Sequence, residues 1–488
     1  MKQPRTIRIM RLMTHVMTSI LRGEKLMISS NTDKIGELGG IYVKFLQLVV
    51  INLDPNNQVG YKQLLKVYEN SQPDPIDVKR YLASQLSAQN FAKIKSIEPQ
   101  PFATGSFGQV YHARLWDDRS VVVKVLRPSV IKYLKYDLRL LNALTWLYNL
   151  ADRKKMLNFR SMFKDFKHTS LNETDYVREA AVADSYWESY QNHPHMVIPR
   201  TYMELCSKHV IVQDYIQGVS VAQLLALQTS STDAAAYCLQ YLQSDLHVLL
   251  SVIGVEIVGR ALVGEIVQAD PHPGNIIILP GNRVALIDFG MSAIITKDRM
   301  AFYDLVVQYQ KLYSGHLAIE DFTLCALRCL APVLYVALEQ TDGLITQTYQ
   351  VSIFEKLRVA VKEYFDETNN KMGVSQDLQR FSIMKVLFFG INKDNRFGFS
   401  FDLSATSMWK ATQTYFVLAQ KFDPSGTIIL NALNEVIWQA AHNMDRIAGS
   451  PQTQMSSSEA LETLSCWFDK MARNDPWLMS RMVGNYIK

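Results

Sequence analysis

The sequence predicts an α+β fold of two lobes, with a helical extension before them and a helical region after them. Three observations carry this. Short β-prone runs fill 100–126 and return at Val210-Ile-Val-Gln-Asp214, with helical periodicity between Ser129 and Tyr190. Ile276-Ile-Ile-Leu279 and Val284-Ala-Leu-Ile287 read as paired strands around the turn Pro280-Gly-Asn282. Beyond about 330 the pattern is helical, without repeats or low-complexity segments. The resulting boundaries are 1–95 for the extension, 96–217 for the first lobe with inserted helices, 218–330 for the second lobe and 331–488 for the helical region.

At 488 residues and 48% hydrophobic there is ample core for two or three domains. A net charge of +5 gives no support to a nucleic-acid partner. Five cysteines, an odd and sparse set, fit a reducing compartment. Cys325 and Cys329 stand one helical turn apart with no second ligand pair, which reads as helix packing.

The extension opens with a segment, Arg5 to Arg22, that has no acidic residue. On a helical wheel Arg8, Arg11, His15, Thr18 and Arg22 face one way, and Ile9, Met13, Val16, Met17 and Ile20 the other. Such a helix suits a lipid interface or a mitochondrial presequence. It equally suits packing on the second lobe. A membrane-surface role is the reading carried forward.

In the first lobe, Phe102-Ala-Thr-Gly-Ser-Phe-Gly-Gln-Val-Tyr111 places small residues where backbone must approach an anion. Ala103, Thr104, Gly105, Ser106, Gly108 and Val110 are its nucleotide-binding candidates. After the turn Asp117-Asp118, the apolar strand Val121-Val-Val-Lys124-Val contains one cation, which is costly unless a charged partner meets it. Glu179 is the favoured partner and Glu173 the competitor. Asp175 and Glu179, four apart, are placed on one helix face. Glu173 also follows Ser170 at capping-box spacing.

The second lobe carries Asp270-Pro-His-Pro-Gly-Asn275, followed thirteen residues later by Asp288-Phe-Gly290. Phosphoryl transfer needs a carboxylate beside the attacking oxygen and oxygen ligands for Mg²⁺ on the phosphates. Protein kinases supply them as an Asp, an Asn five residues later and the Asp of a downstream D-F-G. Here Asp270 is the catalytic carboxylate, while Asn275 and Asp288 are the metal ligands, brought to one sheet end by the hairpin. Val248 to Val267 is the most apolar stretch, but Glu256, Arg260 and Glu265 interrupt it, so it reads as a buried helix leading into this loop.

These motifs resemble the UbiB/AarF-type atypical kinases, associated with coenzyme Q biosynthesis in bacteria and mitochondria. The resemblance rests on Ala-Asp-Pro-His-Pro-Gly-Asn at 269–275, the E-x-D…E-A-A helix at 173–181 and V-x-V-K-V-x-x-P at 121–128, and it runs from about Ile35 to Ile295. It implies a bilobal protein-kinase-like fold that binds Mg-ATP, and it makes Asp270, Lys124, Glu179 and Glu173 catalytic candidates. It places Gln213 at the gatekeeper position, with Asp214 to Ile216 meeting adenine through backbone groups. It also places the family's K-x-G-Q motif at Lys44-Phe-Leu-Gln47 on a regulatory extension. Lys44 and Gln47 share one helix side, so Lys44 is expected to pair with Glu173 or Asp175 and to keep protein substrates out. Departures are Leu46 for the family's Gly, Ala103-Thr-Gly-Ser106 for its Ala-Ala-Ala-Ser loop, and Gln268 for His.

No A-P-E segment follows Gly290, and helical pattern resumes at Lys297. A long peptide-docking loop is therefore not expected. In the last region Trp409, Phe416, Phe422 and Trp438 are expected core residues. An atypical ATPase or kinase, supporting isoprenoid-quinone or lipid metabolism, leads the functional readings. A conventional protein kinase, a small-molecule kinase of the aminoglycoside-phosphotransferase kind and a non-enzymatic nucleotide- or lipid-binding scaffold follow. Expected cofactors are ATP and Mg, and expected partners are a nucleotide, a membrane surface and an isoprenoid or quinone lipid. The expected location is the cytoplasm or its membrane surface, or the mitochondrial matrix in a eukaryote.

Overall fold

A computed structural model describes residues 73–151, 159–230, 232–314, 319–349 and 403–474, with 7, 9–11, 14, 41–42, 44–46, 352, 354–356, 358–359 and 363. They fall into two compact units. The first holds residues 1–192, 197–217 and 287–291, and the second holds 193–196, 218–286 and 292–488.

In the first unit an antiparallel sheet runs β1 (Ile94–Ile97), β3 (Gly108–Leu115), β4 (Ser120–Leu126), β6 (Val210–Asp214), with β2 (Ala103–Thr104) paired to β3. Strand alternation sorts its two faces. Tyr111, Ala113 and Leu115 on β3 and Val121, Val123 and Val125 on β4 turn inward, against Val78 and Leu82 of helix α1 (Val78–Gln85). Each fully buried valine contributes about 1.5–3 kcal/mol relative to exposure. The opposite parity puts Val110 across from Lys124 and Val122 across from Gln213. One register therefore buries the core face and presents Lys124 on the other. Beyond the short α2 (Ala88–Phe91) lie α3 (Pro128–Ala151), α4 (Phe159–Asn172) and α5 (Tyr176–Tyr190). Ser170 lies inside α4, so it forms no capping box with Glu173. Asp175 instead caps α5 by accepting from the Arg178 N–H at 3.1 Å.

In the second unit a four-stranded sheet runs β5 (Met196–Val197), β10 (Arg283–Leu286), β9 (Ile276–Leu279), β7 (Val219–Ser220), and β8 (Val267–Gln268) pairs with β11 (Ser292–Ala293). The β9–β10 hairpin has the predicted register, Leu279 opposite Arg283 and Ile276 opposite Leu286. Around it lie α6 (Val221–Thr229), α7 (Ala234–Leu242), α8 (Leu246–Val263), α9 (Arg299–Tyr313), α10 (Ile319–Leu330), α11 (Pro332–Tyr349), α12 (Leu403–Phe422), α13 (Thr427–Ala441), α14 (Met444–Ala448) and α15 (Ser457–Asn474).

Among the described residues α8 alone is long and apolar enough to cross a membrane, yet most of it is buried within its own unit. Its charges are paired: Arg260 meets Glu256 at 3.5 Å and Glu265 at 3.4 Å, and donates to the Ile266 carbonyl at 2.9 Å. Phe416 and Phe422 are buried as expected. Trp438 is not, at 61% exposed. It sits on α13 two residues from both Val436 and Ala440, and two helical residues turn a side chain about 200° away from the buried stripe. The Trp409 side chain lies outside the described residues.

Candidate nucleotide site

The first unit assembles a charged triad from three distant places. Lys124 Nζ donates to Glu179 Oε1 at 2.6 Å and to Asp288 Oδ2 at 3.1 Å. Glu179, not Glu173, is therefore the partner of the strand lysine. It stands on the first turn of α5, 4% exposed as a side chain, and burial pushes its carboxyl up to about 7 against the pull of Lys124. Burial penalises the Lys124 charge, but Asp288 and Glu179 together raise it well above the ordinary lysine value. Burial also works against Asp288, yet Lys124 and the Gly290 N–H, which donates to Oδ1 at 3.0 Å, hold it below the usual carboxylate range.

The Phe and Gly of D-F-G explain themselves here. Phe289 is buried with its ring centroid 4.7 Å from Tyr186, two turns along the helix that carries Glu179. A Cβ at Gly290 would stand 3.0 Å from Glu179 Oε2 and 3.3 Å from Asp288 Oδ1, so a side chain there would crowd two carboxylates.

The glycine loop is a braced hairpin. Ala103 pairs with Val110 and Thr104 with Gln109, and the Gly105 N–H donates to the Gly108 carbonyl at 2.9 Å. That amide is therefore occupied. Arg127 donates to the carbonyls of Gly105 (3.1 Å, side chain) and Phe107 (2.8 Å, backbone). Asp74 holds Arg127 at 2.8 and 3.0 Å and accepts from the Ser129 N–H at 2.8 Å. The chain just before the first lobe thus sets the loop's position through one arginine. An acid in a polar stretch gives no sequence signal for that.

At the expected adenine edge, Gln213 Nε2 donates to Thr201 Oγ1 at 3.0 Å, which satisfies the polar gatekeeper. The Asp214 and Tyr215 amides donate to the carbonyls of Arg200 and Ser120, both at 3.0 Å. The Asp214 and Tyr215 N–H groups are therefore already engaged. Ile216 lies just past the end of β6.

From the extension, Lys44 pairs with Glu173 and its Nζ lies 4.9 Å from the Phe107 ring centroid. Asp175, the alternative partner, is spent as a cap. Leu46 is buried and Phe45 packs on Phe166 at 5.2 Å, so leucine in place of glycine sits in core and leaves the Lys44 pair formed. Tyr42 O–H donates to Asp137 of α3 at 2.8 Å. Gln47 lies outside the described residues. So does most of the N-terminal amphipathic face, although Ile9 is buried and Arg11 exposed.

In the second unit the Asp270 loop is held by its own backbone. The Asp270 carbonyl accepts from Gln268 Nε2 at 2.5 Å, the His272 N–H at 2.7 Å and Asn275 Nδ2 at 3.3 Å. Asn275 Nδ2 also approaches Asp270 Oδ2 at 3.4 Å, and His272 Nδ1 caps the turn through the Gly274 N–H at 3.1 Å. Gln268 thus has a specific task, fixing the carbonyl of the residue two positions on. Among the described residues no cluster of His, Cys, Asp and Glu forms a metal site of its own. Both Cys325 and Cys329 lie on α10, and neither is in a disulfide.

The ABC1 atypical kinase-like domain matches residues 70–313, half of the chain. The chain belongs to this family. Its curated relatives include a Cellvibrio japonicus protein named Probable protein kinase UbiB, 31% identical over 245 residues, or 50% of this chain and 42% of that protein. A chloroplast protein of Arabidopsis thaliana, Activity of BC1 Complex Kinase 1, is 27% identical over 290 residues, covering 59% and 41% of the two chains. This chain spans between two-fifths and one-half of the length of such relatives. A Mycobacterium tuberculosis protein solved with erythromycin aligns over 84% of this chain and 99% of its own, at 19% identity and a TM-score of 0.39. The family and the observed elements make this an α+β kinase-like fold.

Proposed function

We propose that this family member binds Mg·ATP and either hydrolyses it or transfers its γ-phosphoryl group, in support of isoprenoid-quinone or lipid metabolism. The observation that carries the proposal is Lys124 held between Glu179 and Asp288. That pairing keeps a cation ready for phosphate oxygens at the floor of a small-residue loop. Asp270 is the carboxylate for the acceptor proton. Its loop is fixed through its backbone carbonyl, and Asn275 Nδ2 also reaches the carboxylate at 3.4 Å.

Asp288 and Asn275 offer a carboxylate and an amide oxygen, the hard oxygen donors that Mg²⁺ prefers. When bound, the ion supplies neutralisation of the phosphate charge. The Lys44–Glu173 pair and the Lys44 contact with Phe107 tie the extension to the glycine loop, which supports turnover without a peptide acceptor. The quinone or lipid connection is drawn from the sequence resemblance to the UbiB/AarF-type family alone, and a membrane surface is the proposed setting.

The test is ADP release by purified protein, with and without anionic liposomes and a phenolic quinone-precursor mimic. Stimulation by liposomes plus the phenol supports the proposal. Nucleotide binding without turnover under every condition replaces it with a non-enzymatic scaffold.

A further inference from the structure

Tyr176 opens α5 directly after the capping Asp175, and its side chain is 1% exposed. Its hydroxyl has no hydrogen-bond partner among the described residues. A buried O–H without a partner forfeits the hydration it had in the unfolded chain, so it is a structural cost that needs a reason. Its position supplies one. A Cβ at Gly108 would lie 2.5 Å from this oxygen and 3.7 Å from Lys124 Cε. The Lys124 ammonium stands 5.3 Å from the Tyr176 ring centroid. The hydroxyl is thus wedged between the second glycine of the loop and the triad lysine. Gly108 is glycine here because Tyr176 occupies the space that a side chain would need. On the loop itself Ser106 repeats the pattern: 2% exposed, with Oγ unpartnered among the described residues.

We infer that Tyr176 is a phosphate-binding residue, its O–H donating to a phosphate oxygen of a nucleotide seated on Lys124 beneath Gly108. This rests on the nucleotide-binding reading above and adds a neutral donor to it. A neutral hydroxyl suits the place: Lys124 already answers two carboxylates, and a second cation beside it would be repelled. The tyrosine ring carries the donor on a rigid arm from the helix that also carries Glu179, so one helix would set both the lysine and the phosphate.

The experiment uses the full chain and compares wild type with Tyr176→Phe, and with Ser106→Ala as a second variant. Two quantities are measured: melting temperature without ligand, and affinity for Mg·ADP. Tyr176→Phe keeps the ring and removes only the orphaned hydroxyl. Its unliganded melting temperature is expected to rise by roughly 1–4 °C. Its Mg·ADP affinity is expected to fall about tenfold, the loss of one hydrogen bond to a charged oxygen. Ser106→Ala is expected to move both quantities the same way by less. A protein with a merely structural hydroxyl would melt lower when the hydroxyl is removed, and that result overturns the inference. So does an unchanged Mg·ADP affinity in Tyr176→Phe. If wild type itself does not bind Mg·ADP, it is the nucleotide-binding reading that fails, and the two failures are told apart by the wild-type titration alone.

Discussion

Lys124 and Asp270 are held in opposite ways. Lys124 owes its position to partners 55 and 164 residues away in sequence, contributed by a helix and by the segment 287–291 that returns to the first unit. Asp270 owes its position to Gln268, His272 and Asn275, all within five residues, which meet its carbonyl at 2.5–3.3 Å, while Asn275 Nδ2 also reaches its carboxylate at 3.4 Å. The first arrangement is charge holding charge, and it fails when one charge is removed. The second is a turn, and it survives loss of the side chain it presents.

The largest expected effects separate these two. Lys124→Ala and Asp270→Asn should each lower turnover by about a hundredfold or more, the scale of losing a positioned electrostatic group or a proton acceptor. Only Lys124→Ala should also lower stability, by roughly 3 kcal/mol, because it leaves Glu179 buried beside Asp288 with no cation. Denaturant melts of both variants check this. Equal stabilities would mean that the triad is not held as argued.

A second test sharpens the electrostatics of the triad. The Glu179 carboxyl ordinarily titrates near 4.5, and burial raises it to about 7 in the folded protein. Between these values the folded state holds the extra proton, so its contribution to stability falls as pH rises through that window. Relative to Glu179→Gln, the wild type should lose about 3 kcal/mol across it. Lys124 and Asp288 work outside that range. The lysine's contribution is lost only as pH rises through its raised value, and that of the aspartate only as pH falls through its lowered one. A difference between the two proteins that stays flat with pH would show that Glu179 is not titrating there.

The smallest effect is at the extension. Glu173→Gln removes the partner of Lys44 without touching Lys124. Stability should change by less than about 1 kcal/mol, as for other partly exposed pairs. Autophosphorylation should nevertheless appear or rise, because the tie between the extension and the loop is loosened. Unchanged autophosphorylation would leave that pair a packing contact.

Much of the site was legible beforehand, and the legible parts share a property. The Asp270-to-Asn275 spacing, the β9–β10 register and the alternation that puts Lys124 opposite the core are set by neighbours a few residues apart. Short-range spacing and side-chain period are written directly in the sequence. Tertiary structure had to decide which of two acids met Lys124, that Lys44 took Glu173, and that Asp74 braced the loop through Arg127. The sequence offers several carboxylates for each cation, and only the path of the chain brings one within reach. Trp438 departs from the expected core because an aromatic residue on an amphipathic helix is buried only if its angular position matches the stripe. Tyr176 carries no sequence signal, because nothing local distinguishes a tyrosine that packs from one left with an unpaired hydroxyl. Local order was determined by the sequence alone, because it depends on few residues and short chain. Charge pairing and the fate of each buried polar atom were decided by the fold, because they depend on which distant side chains arrive together.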